Sequence, residues 1–184
     1  MKVIGLCGSL RRESYNRKLL LEAIRLAPVS MDLELYEIGN LPMMDEDLEQ
    51  GGFPSEVQRL MDAVAEADAL LFVSPEYNGS LSPVLKNAID WLSRASKNRI
   101  LSEKPAAIMG ASTGYLGTSR MQKELRSVMS KLNMHPLNLP VFILPHSKEQ
   151  FTEDGQLKDP EKLAKVSALL EALQRWTVQL KSEV

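Results

Sequence analysis

At 184 residues, 44% of them hydrophobic and 25% charged, the chain has the length of one domain and the composition of an ordinary globular protein, which excludes disordered and fibrous classes. A balance of 22 Lys and Arg against 24 Asp and Glu leaves a net charge of -2 and argues against a surface built for nucleic acid. The single cysteine rules out an intramolecular disulfide framework and no apolar window reaches the length of a membrane span, so a single domain over 1–184 is expected in the cytoplasm, with no membrane and no nucleic-acid partner.

Lys2 to Cys7 reads as a short strand, its apolar run too short for a signal-peptide core. Gly8 to Asn16 interrupts it with small and hydrogen-bonding residues, and Leu20, Ala23, Ile24 and Ala27 then recur at helical spacing until Pro28. Leu33, Leu35 and Ile38 alternate with polar residues as a second strand. Gly39 to Phe53, with Met43, Met44 and the acidic group Asp45 to Asp47, is expected to be a long irregular loop, and such loops often carry function. Val57, Leu60, Met61, Val64 and Ala65 mark a second amphipathic helix entered by Pro54 and Ser55.

The most specific stretch follows. Ala69 to Val73 is a continuous apolar run of the kind that forms a strand covered on both faces. Ser74-Pro75-Glu76-Tyr77-Asn78-Gly79-Ser80 turns polar at once, and Pro83 then opens a helix to Ala95 whose apolar arc exceeds what one sheet face covers. The surplus, Trp91 above all, predicts self-association through the Pro83 to Ala95 helix. Pro105 to Ala111 repeats the pattern: a β run ends in a Gly- and Ser-rich break, Ser112 to Thr118, ahead of a helix carrying Met121, Leu125, Val128, Met129 and Leu132. Val141 to Leu144 is the fifth strand, Asp154-Gly155 marks a minor hairpin turn, and Leu163 to Trp176 mark a final long helix.

Five β runs alternating with helices argue for an α/β three-layer sandwich with a parallel five-stranded sheet, and the flavodoxin-like order 2-1-3-4-5 is its natural solution. The switch point of that order lies between the first and third strands, where the loops Gly8 to Asn16 and Ser74 to Ser80 emerge. The first loop offers Ser9, Ser14, Asn16, backbone amides and Arg11 and Arg12 at a helix N-terminus, which is the chemistry of a phosphate site. Taken alone it serves equally well as a helix cap flanked by solvated arginines. Neither a Walker A nor a G-x-G-x-x-G pattern is present, so a mononucleotide phosphate fits better than a triphosphate or a dinucleotide. Cys7 reads as a core residue, and His135 and His146 lack ligand spacing, so no metal is expected.

The segments GSLRRESYNRKLL, SPEYNGSLSPVLKNAIDWLSR and GASTGYLGTSRMQ, in that order and spacing, resemble the NADPH-dependent FMN reductase family, which includes quinone, chromate and azo-dye reductases. The resemblance implies a flavodoxin-like fold, non-covalent FMN, NADPH or NADH as electron donor, a small electron acceptor and a dimer or tetramer. It maps the phosphate loop onto Ser9, Arg11, Ser14, Tyr15 and Asn16, and the ring-contacting loop onto Pro75, Glu76, Tyr77, Asn78 and Gly79. Further flavin contacts are expected from Ser112, Thr113, Gly114 and Gly117, with Glu76 holding geometry rather than acting as an acid or base. No side chain is assigned as catalytic, because the flavin carries the chemistry. Backbone amides around Asn78 and Gly79 are expected to stabilise the negative charge of the reduced ring, Met43 and Met44 to wall the substrate, and Arg12 or Arg17 to read a 2′-phosphate. The competing classes are a flavodoxin-type electron carrier and a non-catalytic FMN-binding module.

Overall fold

The computed structural model describes residues 1–95 and 99–182. Its strands are β1 (Lys2–Cys7), β2 (Asp32–Tyr36), β3 (Ala69–Val73), β4 (Pro105–Ala111), β5 (His135–Pro136) and β6 (Phe142–Leu144). The helices are α1 (Tyr15–Arg25), α2 (Ser55–Glu66), α3 (Pro83–Ser93), α4 (Ser119–Lys131) and α5 (Pro160–Ser182). All strand pairs are parallel, in the order β2-β1-β3-β4-β5, with β6 also pairing with β4. This is the flavodoxin-like arrangement, with its switch point between β1 and β3.

The fifth strand position is filled twice. β5 pairs with Pro105 and Ala106 at the start of β4, and β6 pairs with Met109 to Ala111 at its end. Pro136 and Pro140 have no N–H to give a ladder, so a continuous edge strand cannot form across this stretch, and the expected strand at Val141 shortens to Phe142–Leu144.

Two apolar layers flank the sheet. One face buries Val57, Leu60 and Val64 of α2, Leu85, Ala88 and Leu92 of α3, and Met121, Leu125 and Met129 of α4. The other buries Leu19, Leu20 and Ala23 of α1 against Val166, Leu169, Leu170 and Leu173 of α5. The central strands β3 and β4 are buried along their whole length, as their unbroken apolar runs require. Cys7 belongs to the α1 and α5 face, and burial pushes its thiol pKa up, as suits a core residue.

One expectation is overturned here. Trp91 is completely buried within the chain: its Nε1 donates to Pro42 O at 2.8 Å, and Phe53 meets its ring edge-on. Asn87, one turn earlier, donates from Nδ2 to Pro42 O at 2.9 Å and accepts the Met44 N–H at Oδ1 at 2.7 Å. Trp91, the main part of the expected surplus on α3, is therefore covered by the chain's own segment 39–53. That segment is pinned rather than free: residues Glu46–Glu49 form a 3-10 turn capped by Asp45, and Arg94 Nε reaches Glu49 Oε1 at 2.6 Å. The helix also stops at Ser93, so Ala95 lies outside it.

Candidate active site

The loops after β1, β3, β4 and β6 meet at the carboxyl edge of the sheet around a cleft of about 250 Å³. Its lining includes Ser9, Arg11, Ser14, Tyr15 and Asn16 from the first loop and Pro75, Glu76 and Tyr77 from the second. Ala111, Ser112, Thr113 and Ser147 complete it. The first two loops leave their strands side by side: Gly8 N donates to Val73 O at 2.9 Å, and a Cβ on Gly8 would overlap Ser74 Oγ.

Ser14 caps α1 by accepting the Arg17 N–H at 3.1 Å, which leaves its hydroxyl proton free to donate. The backbone N–H groups of Tyr15 and Asn16 have no acceptor among the described residues. Together with the helix dipole, these donors and the exposed Arg11 make this end of the cleft suited to an anion. The Asn16 side chain does something else. Its Nδ2 donates to Ala111 O at 2.9 Å and its Oδ1 accepts the Ala111 N–H at 2.8 Å, so the amide clamps the start of α1 to the end of β4 and keeps one N–H of Nδ2 uncommitted. Arg17 is paired with Glu37 at 2.5 Å, which holds the Glu37 carboxyl below its usual range.

Glu76 behaves as expected of a geometry-holding residue. Its Oε2 accepts the backbone N–H groups of Arg120 at 2.9 Å and Met121 at 3.1 Å, capping α4 where Thr118 supplies no side-chain cap. Asn78 and Gly79 sit at the tip of a reversal closed by Tyr77 N to Ser80 O at 3.1 Å and Ser80 N to Tyr77 O at 3.0 Å. Both have positive φ, 53° and 80°, which is the type I′ turn for which Asn-Gly is the preferred pair. The tip stands beyond the cleft lining. Gly114 and Gly117 stand outside it too: Gly114 N donates to Ser112 Oγ at 3.2 Å, and Gly117 packs on Ile143. Exposed side chains of Leu10, Met43, Tyr77 and Tyr115 come from the loops of the same edge, while Met44, expected beside Met43, packs against the core.

Sequence reading missed Ser147. It is fully buried, lines the cleft, and its Oγ has no hydrogen-bond partner among the described residues. A larger cavity of about 720 Å³ lies between α3 and α4, lined by Gly79, Pro83, Lys86, Arg120 and Val128, but it holds none of the donors of the first loop.

Residues 1–149 match the family model described as NADPH-dependent FMN reductase. The chain belongs to that family. It is 45% identical, over 98% of its length and 97% of the relative's, to the NAD(P)H-dependent FMN reductase PA1204 of Pseudomonas aeruginosa. It is 41% identical to the NAD(P)H:quinone oxidoreductase of Solanum tuberosum, covering 100% of this chain and 96% of that protein. Among solved structures, the flavoenzyme NAD(P)H:(acceptor) oxidoreductase FerB of Paracoccus denitrificans superposes with a TM-score of 0.89 at 31% identity, over 97% of each chain. The cleft of this family member fits FMN on its own chemistry. An anion end of hydroxyls, free amides and one arginine is followed by a proline- and tyrosine-lined wall, and a buried hydroxyl among them still lacks a partner.

Proposed function

We propose that the chain is an FMN-dependent NAD(P)H oxidoreductase that passes two electrons from a nicotinamide to a small acceptor. Quinones are the first acceptor class to test, followed by chromate, azo compounds and free flavin. The observation that carries this reading is the open start of α1, with Ser9, Arg11 and Ser14 around it, facing Pro75 to Tyr77 across one cleft. Bound FMN supplies the redox chemistry, taking hydride from the nicotinamide and returning electrons to the acceptor. The chain supplies binding and orientation. The unpaired amides of Tyr15 and Asn16 with Arg11 hold the phosphate, while Pro75, Glu76 and Tyr77 lie along the ring. The same reading assigns the backbone N–H groups of Asn78 and Gly79, in the type I′ turn outside the cleft lining, to oppose negative charge developing on the ring. Met43 and Tyr77 give an apolar surface for a planar acceptor.

Self-association as a dimer or tetramer belongs to the same reading, now through the outer edge of α3 at Pro83 and Lys86 beside the cavity shared with α4, not through Trp91. No helix among the described residues is long and apolar enough to cross a membrane. A single buried thiol suits the reducing cytoplasm.

The test is an anaerobic visible spectrum of the FMN-loaded protein titrated with NADPH and then a quinone. Bleaching in one two-electron step followed by reoxidation supports the reductase. Bound flavin that NADPH leaves oxidised would instead indicate a carrier or a binding module.

A further inference from the structure

Ser147 follows β6 at the start of a short 3-10 turn, Ser147–Glu149, and its backbone N–H donates to Ser112 O at 3.0 Å. The side chain is 0% exposed and its Oγ has no partner. Leaving a buried hydroxyl unpaired is unfavourable, so either the site tolerates a loss or the partner arrives with whatever fills the cleft. Two neighbouring polar groups hold other partners: the Asn16 amide pairs with Ala111, and Ser112 Oγ accepts from Gly114 N. The segment leading from Ser147 ends at Phe151, whose ring stacks on Tyr15 in the first turn of α1 with centroids 5.8 Å apart. That stack ties the Ser147 loop to the start of α1, which is the anion end of the cleft, and Ser9 and Ser14 line the same space.

We propose that Ser147 is a cofactor-binding residue, its hydroxyl donating to a phosphate oxygen of FMN from the floor of the cleft. This rests on the FMN reading above and adds to it a donor from the far side of β4, so that the phosphate is gripped by the loops after both β1 and β6.

The hydroxyl has opposite consequences in the two states, and the test uses both. In the flavin-free protein, Ser147→Ala removes an unpaired buried group, so the melting temperature stays level or rises. With flavin, the same variant weakens FMN about tenfold or more, the size expected of a hydrogen bond to a charged group, and leaves riboflavin affinity unchanged. Ser147→Cys, which keeps the volume without the strong donor, shows the same pattern. Affinities are read from quenching of flavin fluorescence. Unchanged FMN affinity in both variants would overturn the proposal. Equal losses for FMN and riboflavin would also overturn it by moving the hydroxyl to the ring or its sugar chain, and a lowered melting point of the flavin-free protein would make the residue structural. A parent protein that binds neither flavin would bring down the FMN reading itself, which is distinct from a loss confined to the variants.

Discussion

Two helices begin at the same edge of the sheet, and their starts are finished differently. At α1 a serine caps one N–H, and those of Tyr15 and Asn16 are left open toward the cleft. At α4 no side chain of the helix start caps anything, and the Glu76 carboxylate from the loop after β3 closes the N–H groups of Arg120 and Met121. Both starts attract an anion through the same dipole and the same unpaired donors. The chain satisfies one of them internally and leaves the other for a ligand. The difference is the ground for proposing the phosphate at α1, and it gives Glu76 a structural task as the cap of α4.

The comparison breaks most severely at Asn16. Asn16→Ala removes both hydrogen bonds to Ala111 and leaves a buried N–H and C=O unpaired, a loss of about 3 kcal/mol in stability by urea unfolding. FMN and riboflavin should then weaken together, because the open helix start itself has moved. Arg11→Ala is the sharper cut. Arg11 is exposed and forms no ion pair among the described residues, so its loss should leave folding intact. FMN affinity should fall about tenfold to a hundredfold and riboflavin affinity hold, because only FMN carries the phosphate. Glu76→Ala should convert the closed helix start into an open one: about 1 kcal/mol of stability is lost, as for other missing caps. Added inorganic phosphate should raise the melting temperature more in that variant, with two open helix starts, than in the parent, with one. The smallest expected effect concerns the turn tip. Asn78→Asp keeps a residue that a type I′ turn accepts while adding negative charge, and should lower the flavin reduction potential by on the order of 30 mV. An unchanged potential in a redox titration would mean that the tip does not face the ring.

Much of this contrast was legible in the chain. Apolar runs ending in Gly, Ser and Pro marked the strands and the edge from which the loops emerge, and Ser14 before a helical period marked the start of α1. The Asn78-Gly79 pair was read only for its backbone amides, and the structure shows it as a type I′ turn. What sequence could not supply were contacts between distant segments. The Asn16 clamp joins residues 95 positions apart. Trp91 is buried because a carbonyl of Pro42 happens to face its indole N–H, so counting apolar positions on one helix overstated the free surface. Ser147, a lone serine between His146 and Lys148, carries no local signal; its place at the cleft follows from β6 pairing with the end of β4.

The most direct measurement is the binding of FMN against that of riboflavin to the unmodified protein, both followed by fluorescence quenching. An open, charge-assisted helix start predicts FMN tighter by at least about a hundredfold. Equal affinities would mean that no phosphate is held at α1, and would contradict the distinction between the two helix starts.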